Sequence, residues 1–163
     1  MLLRLAAVTV ALLALAACGG GKQAATSAAT STAASLTPGC EVPAAERGFV
    51  GLLDAITAGG AARIAGHLSP AGEFTGLKVV DARGSFTTSS RAKAVAYLAA
   101  RHRSRDRLRL LQLIVAQGAD ARHDALRFTV SRVATDVRRG IAIGTGSFDC
   151  VHGTISALNL RGP

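Results

Sequence analysis

The sequence predicts an α+β domain in which helices come first and an antiparallel sheet follows. Three observations carry that expectation. Apolar side chains recur at helical spacing through the first half of residues 39–163. Leu126, Phe128 and Val130 then alternate with Arg127, Thr129 and Ser131, the period of a strand with one wet face. Turn residues separate the later segments, and helices followed by hairpin-linked strands indicate an α+β layer architecture. The chain has 163 residues, with 49% apolar and 18% charged, which excludes a disordered, collagen-like or fibrous protein.

The elements follow in order. Pro43 suits a first helical turn, and Phe49, Leu52, Leu53 and Ile56 mark the buried face of that helix. Gly59-Gly60 ends it, and Ala61 to Leu68 reads as a second, shorter helix. Ser69-Pro70-Ala71-Gly72 is a loop. Leu77 to Thr88, with Val79-Val80 and Phe86, is an edge strand or ribbon. Ser89 or Ser90 caps a third helix through Arg101, with Val95 and Leu98 facing inward. Leu108 to Ala116 begins the strands. Arg138-Arg139-Gly140 reads as a turn before Ile141 to Cys150, and His152-Gly153 as a turn before Thr154 to Leu160.

The N-terminus points to export. Met1 to Ala17 reads MLLRLAAVTVALLALAA, one cation at Arg4, an apolar stretch and then small residues, the layout of a signal peptide. The alternative, an uncleaved anchor or core helix, meets the difficulty that an Ala-rich run this short anchors poorly. Leu15-Ala16-Ala17-Cys18-Gly19 resembles the lipobox of bacterial lipoproteins. That resemblance implies cleavage before Cys18, which would then carry a diacylglycerol thioether and anchor the chain to the outer face of the cell membrane. Two or more acyl chains suffice for stable anchoring. Residues 18–38 follow as the lipidated Cys and a Gly/Ala/Ser/Thr linker, expected to be disordered because it has almost nothing to bury. As a flexible coil it spans roughly 25 Å.

With Cys18 assigned to lipid, Cys40 and Cys150 remain at the two ends of the domain. An exported chain meets an oxidising compartment, so a Cys40–Cys150 disulfide is expected, with two buried thiols as the alternative. The bridge would close a loop of about 110 residues, worth about 5 kcal/mol in the chain-entropy model.

Leu53-Asp54-Ala55-Ile56-Thr57-Ala58-Gly59-Gly60 with Ala61 to Leu68, and then Arg91 to His102, resemble the first three helices of the nuclear transport factor 2-like superfamily (SnoaL and ketosteroid-isomerase types). Gly146-Ser147-Phe148-Asp149-Cys150 with Gly153-Thr154-Ile155 is similar to the closing hairpin of exported actinobacterial members. The departure is in the last strand, where Ala157-Leu158 stands in place of an aromatic. The resemblance implies helices packed in a curved antiparallel sheet, with a conical cavity between them. Phe74, Leu98, Phe128 and Phe148 are its candidate lining.

Chemistry is thinly represented. Enzymes of that superfamily use acids and a Tyr in the cone, but Tyr97 reads as a packing residue, and Glu73, Asp81, Asp136 and Asp149 match no family base; no catalytic residue is assigned. Gly144-Thr145-Gly146-Ser147 has the wrong order for a nucleophile elbow, and Gly19-Gly20-Gly21-Lys22 lacks phosphate-loop spacing. His67, His102, His123 and His152 are scattered, so neither a metal nor a cofactor is expected.

The formal charge is +9, and Arg101, Arg103, Arg105, Arg107 and Arg109 form its densest run. Nucleic acid is an unsuitable partner for an exported chain with few stacking aromatics. The run is either a solvated connection or a contact for anionic lipid headgroups or an acidic envelope polymer. The leading expectation is a lipoprotein whose domain binds a small apolar ligand in the cone or an envelope protein on the sheet, without catalysis. An isomerase or cyclase using the cavity, and a homodimerising structural module, are the alternatives.

Overall fold

The structure is a computed structural model that describes residues 41–118, 120–135 and 137–162. Cys18, the linker 18–38, Cys40 and Asp136 lie outside the described residues, so the expectations placed on them are carried forward as proposals.

Helix α1 (Val42–Ala58) begins with Pro43 in its first turn and buries Ala45, Phe49, Leu52, Leu53 and Ile56 on one face. Gly59 closes it in the left-handed region at φ 74°, its N–H bonded to the carbonyls of Ala55 and Ile56. Helix α2 (Ala61–His67) follows directly. Strands β1 (Gly76–Asp81) and β2 (Gly84–Thr88) form a hairpin. Helix α3 (Arg91–Arg103) starts at Ser90, whose hydroxyl accepts from the Lys93 amide at 3.4 Å. Strands β3 (Arg107–Gln117), β4 (His123–Ala134), β5 (Val137–Asp149) and β6 (Thr154–Arg161) complete one sheet of order β2-β1-β6-β5-β4-β3.

Two expectations need correction. Arg138-Arg139-Gly140 is not a turn; β5 already runs from Val137. The chain reverses earlier because the Thr135 amide (3.0 Å) and hydroxyl (2.8 Å) both donate to the Ser104 carbonyl, pinning the hairpin end at the foot of α3. The sheet is also not wholly antiparallel, since β1 pairs with β6 in parallel. The segment after α2 sets that direction. It runs beside the start of β6, with the Ser69 amide bonded to the Ile155 carbonyl and the Thr75 amide to that of Ser156, so β1 continues along β6 instead of against it.

The helices cover one face of the sheet. Leu126, Phe128 and Val130 of β4, Ala142 and Phe148 of β5, and Leu158 and Leu160 of β6 point to that inner face and join α1 in one core. The Phe49 and Phe128 rings meet at 4.5 Å between centroids. Residues Ala34–Pro163 form one compact unit, and among the described residues this core runs from Ala45 to Leu160.

Glycine makes part of that packing possible. Gly144 sits opposite Phe128, and a Cβ there would overlap both the Phe128 ring and the Asn159 carbonyl. Gly144→Ala should therefore destabilise the domain by about 1–3 kcal/mol in chemical denaturation. Adding Phe128→Leu should restore part of the loss, because the overlap is with that ring.

Candidate functional site

The most heavily buried polar group is a four-residue ion-pair network at the end of the sheet. Helix α3 ends in a Schellman arrangement: the Arg105 amide bonds to the His102 carbonyl at 2.8 Å and the Asp106 amide to that of Arg101 at 3.3 Å. Arg105 occupies the left-handed position at φ 51°, the one described non-glycine residue with positive φ. The motif turns Asp106 inward. There its carboxylate accepts from Arg101 Nε at 2.7 Å and Arg132 Nε at 2.9 Å. Asp81, at the end of β1, accepts from Arg101 at 3.0 Å and is paired with Arg132 at 3.2 Å. All four side chains are at most 3% exposed.

Tyr97 completes the arrangement. Its hydroxyl lies 2.9 Å from an Arg101 nitrogen, and its ring stacks on Phe86 at 3.9 Å. Burial would lower the Arg101 pKa, but Asp106, the Tyr97 hydroxyl and Asp81 outweigh it and raise it above the usual value. Neither carboxylate is available as a base. Asp106 is engaged at both oxygens, and the second oxygen of Asp81 accepts the Arg83 amide at 2.9 Å. The network is a structural clamp between α3, β1 and β4.

A second cluster joins the β5–β6 turn to the loop before β1. Asp149 is fully buried, and His152 Nδ1 lies 2.8 Å from its Oδ2 and 3.4 Å from Glu73 Oε2. The ligating atoms of Glu73, Asp149 and His152 fall within 4.8 Å of one another. Arg122 shares the space, paired with Glu73 and lying 3.5 Å from Asp149, so the cluster already holds a cation of its own. Burial would raise the Asp149 carboxyl, but hydrogen bonds from His152 and from the His152 and Val151 amides hold it well below the usual carboxylate range. Sequence reasoning missed this grouping, although Asp149-x-x-His152 is the spacing of a side chain folding back on its own turn.

The four residues expected to line a cone are core residues. Phe74, Leu98, Phe128 and Phe148 are each at most 6% exposed and pack in the same cluster. Only Phe128 reaches the open groove described next, and it does so from beneath. That groove, about 390 Å³, lies on the face of the sheet away from the helices and is bordered by Lys78, Val80, Ile114, Arg127, Ile143 and Arg161. A second opening, between α1 and β3, carries the solvated carboxylates of Glu46 and Asp54 at its rim.

The arginine run divides. Arg101 is buried in the network, so its expected contact with an anionic surface is corrected: two carboxylates consume its charge. Arg103 and Arg105 are exposed at the end of α3, while Arg107 and Arg109 project from β3 on the groove side of the sheet, opposite Val133 and Ser131.

No protein-family profile matches the chain, and no curated protein matches its sequence. Its fold does match solved structures. A putative dehydratase from the NTF2-like family of Streptomyces avermitilis superposes with a TM-score of 0.60 at 10% identity, over 77% of this chain and 97% of that one. A Methylobium petroleophilum protein of unknown function with a cystatin-like fold gives 0.54 at 13% identity, over 76% of each chain. A cystatin-like protein of unknown function from Nostoc punctiforme gives 0.55 at 8% identity, over 72% and 87%. The domain has the NTF2-like, or cystatin-like, α+β fold.

Two outcomes follow from the clusters. Asp106→Ala leaves two buried guanidinium groups under-paired and should cost about 3–5 kcal/mol by denaturant titration. For Asp149 the depressed folded pKa means that its contribution is complete above the ordinary aspartate value near 3.9 and is lost as pH falls below it. Asp149→Asn should lower the melting temperature at pH 6 and shrink its further fall between about pH 4 and 2.

Proposed function

We propose that the chain is a membrane-tethered binding module that works without catalysis and meets its partner on the outer face of its sheet. Cys18 carries the lipid, residues 18–38 form the tether, and the domain from residue 39 onward is the cargo. The observation that supports a binding face outside the cone is the contrast between the two sides of the sheet. On the inner side Phe49, Leu52, Val130, Phe148 and Ile155 are fully buried against one another. On the outer side Ile114 and Ile143, which border the groove, are 50% and 58% exposed, and Ile141, on the same face of β5, is 61% exposed.

A cyclase-type or isomerase-type reaction would need an acid or histidine free to move a proton beside a bound substrate. Of the buried acids, Asp81, Asp106 and Asp149 are instead held by arginine or histidine. Asp124, whose carboxyl burial raises, borders neither of the two openings described, while Glu46 and Asp54 at the second opening stand in solvent. The outer groove keeps apolar surface accessible, and the domain meets its partner there. The Cys40–Cys150 disulfide is part of the same proposal. Cys150 is 3% exposed, and the neighbouring Phe148 ring lies against Gly48, in the N-terminal half of the helix that starts two residues after Cys40.

Mass spectrometry of the protein extracted from bacterial membranes tests the tether and the bridge together. The expected chain begins at Cys18, carries acyl mass on that residue, and weighs about 2 Da less than its reduced form. A chain that retains Met1 to Ala17, or lacks acyl mass, removes the tether. Free thiols at Cys40 and Cys150 remove the disulfide.

A further inference from the structure

We infer that the outer face of the sheet docks on the anionic surface of a lipid bilayer. The proposal rests on the tethered reading only for access to that surface; the recognition is built into the domain. Lys78, Arg127 and Arg161 are exposed at the groove, and no carboxylate borders it. Arg107 and Arg109 extend the same face along β3. None of these five cations is within ion-pair distance of a described carboxylate, and the nearby acids Asp81 and Asp106 are buried in the network on the other side of the sheet. Between the cations stand Ile114, Ile141 and Ile143, each at least half exposed.

Cations flanking exposed apolar side chains match the two layers of an anionic membrane surface, charged headgroups above and acyl chains beneath. Other occupants satisfy only part of this. A second copy, related by a two-fold axis through this face, would set the five cations against their own images with no carboxylate to pair them. An acidic polymer would meet the cations and leave the three isoleucines in water.

The test uses residues 34–163, which form one compact unit, so no acyl chain takes part. Cosedimentation with vesicles of phosphatidylcholine and phosphatidylglycerol should show binding that phosphatidylcholine alone does not support and that salt weakens. Each basic side chain near an anionic surface contributes roughly fivefold to partitioning, so Lys78→Ser with Arg127→Ser and Arg161→Ser should weaken it about a hundredfold. Ile143→Ser should weaken the binding that remains at high salt. All four positions are exposed, and circular dichroism of each variant checks that the fold is kept.

Unchanged binding by the triple variant would overturn the proposal, as would equal binding to uncharged vesicles. Polyglutamate bound as tightly as the vesicles, or a stable dimer that protects β5 from hydrogen exchange, would overturn it in favour of those partners. Vesicle binding by this segment alongside an unlipidated Cys18 in the native protein would support the docking and remove the tether.

Discussion

The burial of two arginines is the constraint on which the rest of the arrangement depends. Arg101 and Arg132 sit at 3% and 1% exposure, where an uncompensated guanidinium would be untenable. Their partners come from places far apart in the chain, Asp81 at the end of β1 and Asp106 in the connection after α3. The network can therefore form only when α3 lies across the sheet and β1 and β4 have reached their final positions. Such a group adds little net stability compared with a well-packed apolar one, but it penalises packings that separate its members. The Schellman turn serves this end. An arginine is held in the left-handed region so that the next residue, Asp106, enters the interior.

The same economy governs the inner face. Aromatic rings are accommodated by removing side chains opposite them: the Phe128 ring occupies the space that Gly144 leaves, and the Phe148 ring lies against Gly48. Rings pressed onto backbone close the packing at these two places. Of the two openings described, the groove lies on the outer face, where β-alternation has placed residues of the other character.

Much of the fold was legible because it rests on local signals. The Gly59 stop, the Ser90 cap and the alternation through Leu126, Phe128 and Val130 are each set by a few neighbouring residues, and each stands where the sequence put it. The parallel β1–β6 pair was not legible, because it depends on hydrogen bonds from Ser69 and Thr75 to a strand more than 80 residues away. The ion-pair network was half legible. Arg132 continues the inward parity of Leu126, Phe128 and Val130, and Asp106 is the one acid within the arginine run; together they announce a buried pair. Counting charges along the run hid this, since Arg101 looks like its neighbours until the helix end turns it inward. The Glu73–Arg122–Asp149–His152 cluster joins three separate segments, and only the Asp149–His152 half of it is local.

The distribution of carboxylates links the interior to the surface. The sequence has 10 acidic residues against 19 basic ones, so acids are the scarce partner. Asp81 and Asp106 are spent on Arg101 and Arg132, and Glu73 and Asp149 on Arg122 and His152. Acids drawn inside to neutralise buried cations cannot balance the arginines and lysine left on the outer face. The positive potential there is the outward counterpart of a neutral interior. Because those outer cations carry no ion pair among the described residues, altering them should change association at the surface far more than folding, whereas altering any member of the buried network reverses that order.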